Sequence, residues 1–269
     1  MKPSGQGRPK RSLGQNFLVD PNLQRKIVDA LGAGSDDEVV EVGPGRGALT
    51  RHLVGMVRRL VLVELDDALA SDLQEAYASR GDVVVIHGDI LRLDLAAQVL
   101  DPARLRVVGN IPYNITTPIL FRLLERPRPR DIVLLVQEEV AERIVAAPGT
   151  AAYGALAVGV QAVAAAERLF RIRRNAFRPV PRVDSALVRV RPIRPEPLDA
   201  RQEARLRTLV RAAFQWRRKQ LGKILREHPD LRLPPGAAEV AAGRAGAGLR
   251  DRPEQLSPGQ FIALSSELP

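Results

Sequence analysis

Short β-branched runs alternate with stretches of helical spacing through the first two thirds of the chain, and the runs end on glycine or polar clusters. Glu38 to Val42 leads into Gly43, Leu60 to Val63 into Glu64, Val83 to Ile86 into Gly88-Asp89, and Arg106 to Val108 into Asn110. Ile132 to Val136 is a further such run. The segments between them read as helices over 48–58, 67–79, 117–124 and 138–146. Before them, Asp20-Pro21 pairs a capping side chain with a proline at the first helical position. Leu23, Ile27, Val28 and Leu31 then recur at helical spacing, and Gly32 and Gly34 end that helix. Strands alternating with helices imply βαβ units and a parallel sheet covered on both faces. The stricter alternation of Ser185 to Val190 predicts a late antiparallel strand.

Arg191 to Pro197 holds three prolines and no apolar period, and reads as a linker. Beyond it, 199–226 and 257–264 have helical patterns, and the Ala/Gly-rich stretch 236–248 reads as a loop or weak helix. The expected organisation is a basic mobile arm at 1–12, an α/β domain over 13–192 and a small helical domain over 193–269.

In a doubly wound sheet, ligands bind beyond the carboxyl ends of the strands, where the four clusters fall. Gly43, Gly45 and Ala48 fit a dinucleotide-binding turn, with Glu64 at the distance of a ribose-binding acid. A nicotinamide or flavin enzyme is therefore one reading. The charges argue against it, because Glu41 and Asp89 would face a doubly negative pyrophosphate. S-adenosylmethionine carries a cationic sulfonium and no phosphate, and it tolerates nearby acids. On this reading Glu64 accepts the ribose hydroxyls and Asp89 the cofactor's adenine amine. Their plain structural alternatives are a helix-start acid and a turn aspartate.

Asn110-Ile111-Pro112-Tyr113 is the most specific cluster. An adenine amino nitrogen is a poor nucleophile, its lone pair being delocalised into the ring. A site that methylates it must hold it in line with the methyl–sulfur bond and accept its N–H bonds. The side-chain carbonyl of Asn110 and the backbone carbonyl of Ile111 can do so, Pro112 stiffens the turn, and Tyr113 offers a face for a flipped base. Phe177, in the Pro- and Arg-flanked segment Asn175 to Arg182, reads equally as a second stacking face or as a core anchor.

Composition narrows the partners. The chain has no cysteine and three histidines far apart, so disulfides, thiolate metal sites and a metal cofactor are not expected. Net charge is +10, and it is concentrated. Arg168 to Arg194 holds nine arginines against one acid, and Arg201 to His228 nine Lys/Arg against two, with Phe170, Phe177, Phe214 and Trp216 interspersed. That pattern suits a phosphate-tracking surface. No apolar run suffices to span a membrane and the N-terminus is not a signal peptide, so a cytoplasmic protein without membrane association is expected.

These motifs resemble the ribosomal RNA adenine dimethyltransferase family of the bacterial KsgA type. The resemblance rests on Gly14-Gln15-Asn16-Phe17-Leu18, Glu41 to Gly45, Val63 to Asp66, Gly109 to Asn114, Tyr153-Gly154, Phe177 through Arg189, Ala213-Phe214 with Arg217-Arg218-Lys219, and Arg252 to Ser257. It implies a Rossmann-like class I methyltransferase with a mostly parallel seven-stranded sheet, plus a small C-terminal all-helical, RNA-binding domain. It implies S-adenosylmethionine as cofactor, held by Asn16, Leu18, Gly43, Glu64, Asp89 and Asn110. The catalytic set would be Asn110, Ile111, Pro112, Tyr113 and Phe177. The implied activity is N6,N6-dimethylation of two adjacent adenines near the 3′ end of small-subunit rRNA, on an immature subunit, by a monomer. Ile111 stands where this family usually has Leu, and Ile is common in the large-subunit methyltransferases of macrolide resistance, which remain an alternative. So does an assembly checkpoint acting mainly by binding.

Overall fold

The computed structural model describes residues 14–102 and 104–268, so the 1–12 arm expected above lies outside the described residues. The chain opens with β1 (Phe17–Leu18), α1 (Pro21–Leu31), β2 (Glu38–Val42), α2 (Thr50–Leu53), β3 (Arg59–Glu64), α3 (Asp67–Tyr77) and β4 (Val83–His87). It continues through α4 (Leu95–Gln98), β5 (Leu105–Asn110), α5 (Thr116–Leu123), β6 (Asp131–Gln137), α6 (Glu138–Ile144), α7 (Ala155–Gln161), β7 (Ala164–Ile172), β8 (Phe177–Arg178) and β9 (Ser185–Pro192). Then come α8 (Ala200–Gln215), α9 (Leu221–Glu227), α10 (Ala237–Arg244) and α11 (Pro258–Ser266).

Seven strands form one sheet in the order β4-β3-β2-β5-β6-β9-β7. β2, β3, β4, β5 and β6 pair in parallel, and β9 runs antiparallel to β6 with Gln137 opposite Ser185. This is the mostly parallel seven-stranded sheet expected from the sequence, with a helical C-terminal region. The central strands are mostly apolar and buried along nearly their whole length, as a sheet covered on both faces requires, with charged or polar residues at their ends and Glu41 inside β2. Because the chain order reverses between β3 and β5 on either side of β2, the switch point lies beyond Val42 and Asn110.

Local chemistry explains the elements. Asp20 accepts the N–H bonds of Asn22 and Leu23, Pro21 enters α1, and Gly32 closes it in the left-handed region at φ 61°. The helix expected over 48–58 shrinks to α2, because Val54 turns extended and Gly55 takes φ 78°. The continuous 199–226 helix is broken between α8 and α9, where the N–H groups of Leu221 and Gly222 bond to Asp251 and Leu249 instead. The segment 151–166 divides into α7 and the start of β7.

The chain packs as two units. One runs to Ala141 and includes Glu167–Pro192; the other comprises Glu142–Ala166 and Ile193–Pro269. Residues 142–166, which the sequence reading put in the first domain, thus join the C-terminal helices. The reason lies in the aromatic core of that second unit. Fully buried Tyr153 donates its hydroxyl to the Leu256 carbonyl at 2.7 Å and sets its edge against Phe214, which stacks on Phe261 at 5.8 Å. Phe214 is thus half-buried and held within this aromatic cluster. Trp216 packs edge-on against His228, and Phe170 lies under Lys26.

The first unit's core includes Ile27, Leu31, Leu53, Leu62, Val108, Val133, Leu187 and Phe177. One close approach is decisive for the switch point. A Cβ on Gly109 would stand 2.7 Å from the carbonyl oxygen of Val42, so only glycine lets β5 lie this close to β2. Gly109→Ala is expected to lower unfolding free energy by roughly 1–3 kcal/mol, as overpacking against backbone does. Urea unfolding measures this, and unchanged stability would show that the strands part freely.

Candidate active site

At the switch point of the first unit lies a cavity of about 290 Å³, near the lower end for small-molecule sites. Its walls are the ends of β2, β3, β4 and β5 together with the segment around β1, and no lysine or arginine lines it among the described residues.

The glycine turn after β2 makes the floor. Gly43, Gly45 and Gly47 take φ of 65°, 57° and 71°, a region that favours glycine. The turn is tied to β3 twice: Gly43 N–H donates to the Val63 carbonyl at 3.0 Å, and Gly45 N–H to Glu64 Oε2 at 2.9 Å. Glu64 Oε1 accepts Asp66 N–H at 2.9 Å. Each carboxylate oxygen has two acceptor positions, so Glu64 is fixed by backbone yet keeps capacity for two further donors. Burial raises its pKa above the ordinary value, against the pull of those N–H bonds.

Glu41 contributes a second acid. It is 1% exposed, lines the cavity, and accepts the Thr50 hydroxyl at 2.7 Å. Burial, with Glu64 nearby, pushes its pKa up to about 7. Asp89 also lines the cavity, with Oδ1 accepting Leu91 N–H at 3.0 Å.

Opposite the acids stands Asn110, at the end of β5. Its Nδ2 donates to the backbone carbonyl of Asn16 at 2.8 Å. That bond fixes which end of the amide is which, leaving Oδ1 as the acceptor. The segment that supplies the Asn16 carbonyl is itself held. Asn16 Nδ2 donates to Gly14, Gln15 to Asp66, and β1 pairs with β8, Leu18 opposite Phe177. The Phe17 ring covers Gly45 and carries Arg46 on its face at 4.5 Å. Ile111 is buried, Pro112 begins a 3-10 turn over Tyr113–Ile115, and the Tyr113 hydroxyl bonds Ser185 Oγ at 2.7 Å.

The cavity thus brings together Asn16, Leu18, Gly43, Glu64, Asp89, Asn110, Ile111, Pro112 and Tyr113. It does not include Phe177. That ring is 0% exposed and belongs to the apolar core, because its strand pairs with β1 and turns it inward. Of its two sequence readings the structure selects the core anchor. Glu41 had been noted for its charge but not placed in the site. Phe17 and Ser185 were also missed; only the proximity of Phe17 to Asn16 hinted at it, and nothing local marked Ser185.

The basic cluster is corrected in part. Arg168 pairs with Glu138, Arg171 with Asp184, and Arg189 and Arg191 with Asp131 and Glu167. Burial raises the Asp131 pKa, which its neighbouring arginines offset. Among the described residues Arg173, Arg174, Arg178 and Arg182 form no ion pair, and all four are exposed. They make up the exposed part of the cluster, where Val180 and Val183 are exposed as well.

Sheet order, glycine turn, strand-end acids and the Asn-Ile-Pro-Tyr cap together define a Rossmann-like methyltransferase. The family model for "Ribosomal RNA adenine dimethylase" matches residues 7–263, and the chain belongs to that family. It is 39% identical to "Ribosomal RNA small subunit methyltransferase A" of Geobacillus thermodenitrificans, over 96% of this chain and 90% of that protein. Two solved structures share its fold. A dimethyladenosine transferase from Plasmodium falciparum aligns at a TM-score of 0.76 and 24% identity, covering 92% of this chain and 95% of the other. The 23S rRNA methyltransferase ErmE aligns at 0.70 and 29%, covering 94% and 99%. No helix among the described residues is long and apolar enough to cross a membrane.

The raised pKa of Glu41 has a signed consequence. Its folded-state pKa near 7 exceeds the ordinary 4.5, so folding favours the protonated acid. The stability this contributes is complete below pH 4.5 and is lost as pH rises through 7, a change of roughly 3 kcal/mol. Glu41→Gln keeps an acceptor for Thr50 and cannot ionise. The stability of wild type relative to this variant is expected to fall between pH 4.5 and 7.5 in the ligand-free protein. A pH-independent difference by chemical denaturation would contradict it.

Proposed function

We propose that this chain dimethylates the N6 amino groups of adenines in small-subunit ribosomal RNA, using S-adenosylmethionine. The observation that carries the reading is the anchored amide of Asn110, which leaves an acceptor oxygen on a residue that lines the same cavity as Glu41, Glu64 and Asp89.

The cavity suits this cofactor better than a dinucleotide. Buried Glu41 and Glu64 and half-buried Asp89 line it, with no cationic side chain among the described residues to meet a pyrophosphate, and an electropositive ligand would favour the ionised forms of the two glutamates. Glu64 would take the ribose hydroxyls on its spare acceptor positions, Asp89 the cofactor's adenine amine, and the glycine turn would admit close backbone approach. Asn16, Leu18 and Gly43 would complete the pocket. When bound, S-adenosylmethionine would supply an electrophilic methyl group on a cationic sulfur.

The chain's own groups place the nucleophile. Asn110 Oδ1 and the Ile111 carbonyl accept the two amino N–H bonds, which turns the nitrogen lone pair toward the methyl. Tyr113 gives the base a face to stack on. Arg173, Arg174, Arg178 and Arg182 hold RNA phosphates beside the site, and the basic C-terminal helices are the natural second anchor. No strong general base is needed, because the proton becomes acidic once the bond forms.

The small-subunit substrate is favoured over the large-subunit one by the relatives, whose names specify the small subunit. The large-subunit enzyme among the solved structures is 29% identical. The finer setting we propose is two adjacent adenines near the 3′ end, on an immature subunit, in the cytoplasm, with the protein acting as a monomer.

Asn110→Ala tests the reading. It is expected to lower methyl transfer to unmodified small subunits by about 10²–10³-fold, the scale for removing one aligned polar group from a site. Cofactor affinity, measured by calorimetry, should change far less. Transfer near the wild-type rate, or methylation of large-subunit RNA instead, would overturn it.

A further inference from the structure

Tyr113 carries its ring on a 3-10 turn that only weakly constrains it. Within the turn Ile115 N–H donates to the Pro112 carbonyl at 3.2 Å, and the Thr116 hydroxyl sits at 3.4 Å from two carbonyls. None of these bonds fixes the ring plane. The bond that does is the 2.7 Å contact between the phenol and Ser185 Oγ.

Ser185 is well placed to act as a fixed post. It is 0% exposed and is the first residue of β9. Because β9 is antiparallel to β6, its start, unlike that of any parallel strand, lies at the end of the sheet where the cavity opens, opposite Gln137. The residue before it is held from both ends. The Asp184 carboxylate accepts Arg174 N–H at 2.9 Å and the Arg171 guanidinium at 2.7 Å, while its carbonyl accepts Glu138 N–H at 3.1 Å. The hydroxyl therefore comes from the sheet. Burial raises the Tyr113 pKa, so the phenol stays neutral and keeps this bond.

We infer that Ser185 is a positioning residue for methyl transfer: it sets the ring plane of Tyr113 against the target adenine, and it matters most in the second transfer to each base. This rests on the proposed function. An unmodified amine offers two N–H bonds to Asn110 Oδ1 and the Ile111 carbonyl, so polar contacts alone nearly fix its orientation. After one methyl is added a single N–H remains. The aromatic wall then carries a larger share of the alignment, and a ring free to swing misplaces the nitrogen.

The test is single-turnover transfer from S-adenosylmethionine to small subunits lacking the modification, using the full chain, with monomethyl- and dimethyladenine separated by mass spectrometry. Ser185→Ala is expected to slow the first transfer about threefold and the second about tenfold or more, the range of one lost neutral hydrogen bond. Monomethyladenine should accumulate while cofactor affinity and melting temperature stay near wild type. Tyr113→Phe should give the same product pattern, and adding Ser185→Ala to it should change little, because the shared bond is already gone. Equal slowing of both transfers, an additive double variant, or unchanged rates would overturn the inference. If Ser185→Ala does not fold, Ser185→Cys, with a weaker donor, and Tyr113→Phe alone decide it by the same product ratio. Wild-type protein that makes no dimethyladenine would overturn the parent reading as well, whereas normal dimethylation with equal slowing removes only this inference.

Discussion

One hydrogen bond organises the Asn110 side of the cavity: Asn110 Nδ2 to the Asn16 carbonyl, at 2.8 Å. A primary amide is nearly symmetric in shape but opposite in polarity at its two ends. Turned one way it would accept an amino N–H; turned the other it would meet that amine donor to donor. The β1 segment removes the ambiguity, and so a stretch before the first large strand becomes part of the site. Its own anchors, the β1–β8 ladder and the Gln15–Asp66 bond, serve that end.

The acids on the facing wall follow a different logic. Glu64 is bound to the glycine turn and to Asp66 through backbone N–H groups, which orient it without neutralising it. Glu41 is buried with a hydroxyl as partner and no cation, so the free protein keeps it near its protonation point. Such a site costs stability when empty and charged, and a cationic ligand relieves that cost. The cavity is thus electrostatically matched to a positive ligand before one arrives.

Much of this was legible in the sequence because the constraints are local. The glycine turn needs left-handed φ values that few other residues adopt. The strand-end clusters follow from the sheet's polarity, and the Asp20-Pro21 start and Gly32 stop of α1 are capping chemistry. What was not legible depends on long-range packing. Phe177 sits in a loop of prolines and arginines, yet pairing with Leu18 turns it into the core. Phe214 lies in a basic helix but stacks on Phe261, far away in sequence. Four of the nine arginines in Arg168 to Arg194 are spent on acids of the chain itself, Glu138, Asp184, Asp131 and Glu167. Ser185 gives no local signal; its reach to Tyr113 exists only because β9 enters the sheet backwards.

The orientation of the Asn110 amide can be read directly. In ¹⁵N,¹³C-labelled protein, a through-hydrogen-bond scalar coupling between Asn110 Nδ2 and the Asn16 carbonyl carbon reports that contact and no other. A measurable coupling, with Asn110 side-chain protons protected from exchange, is the predicted result. No coupling, with amide protons exchanging as in a free side chain, would mean that the acceptor is not pre-set.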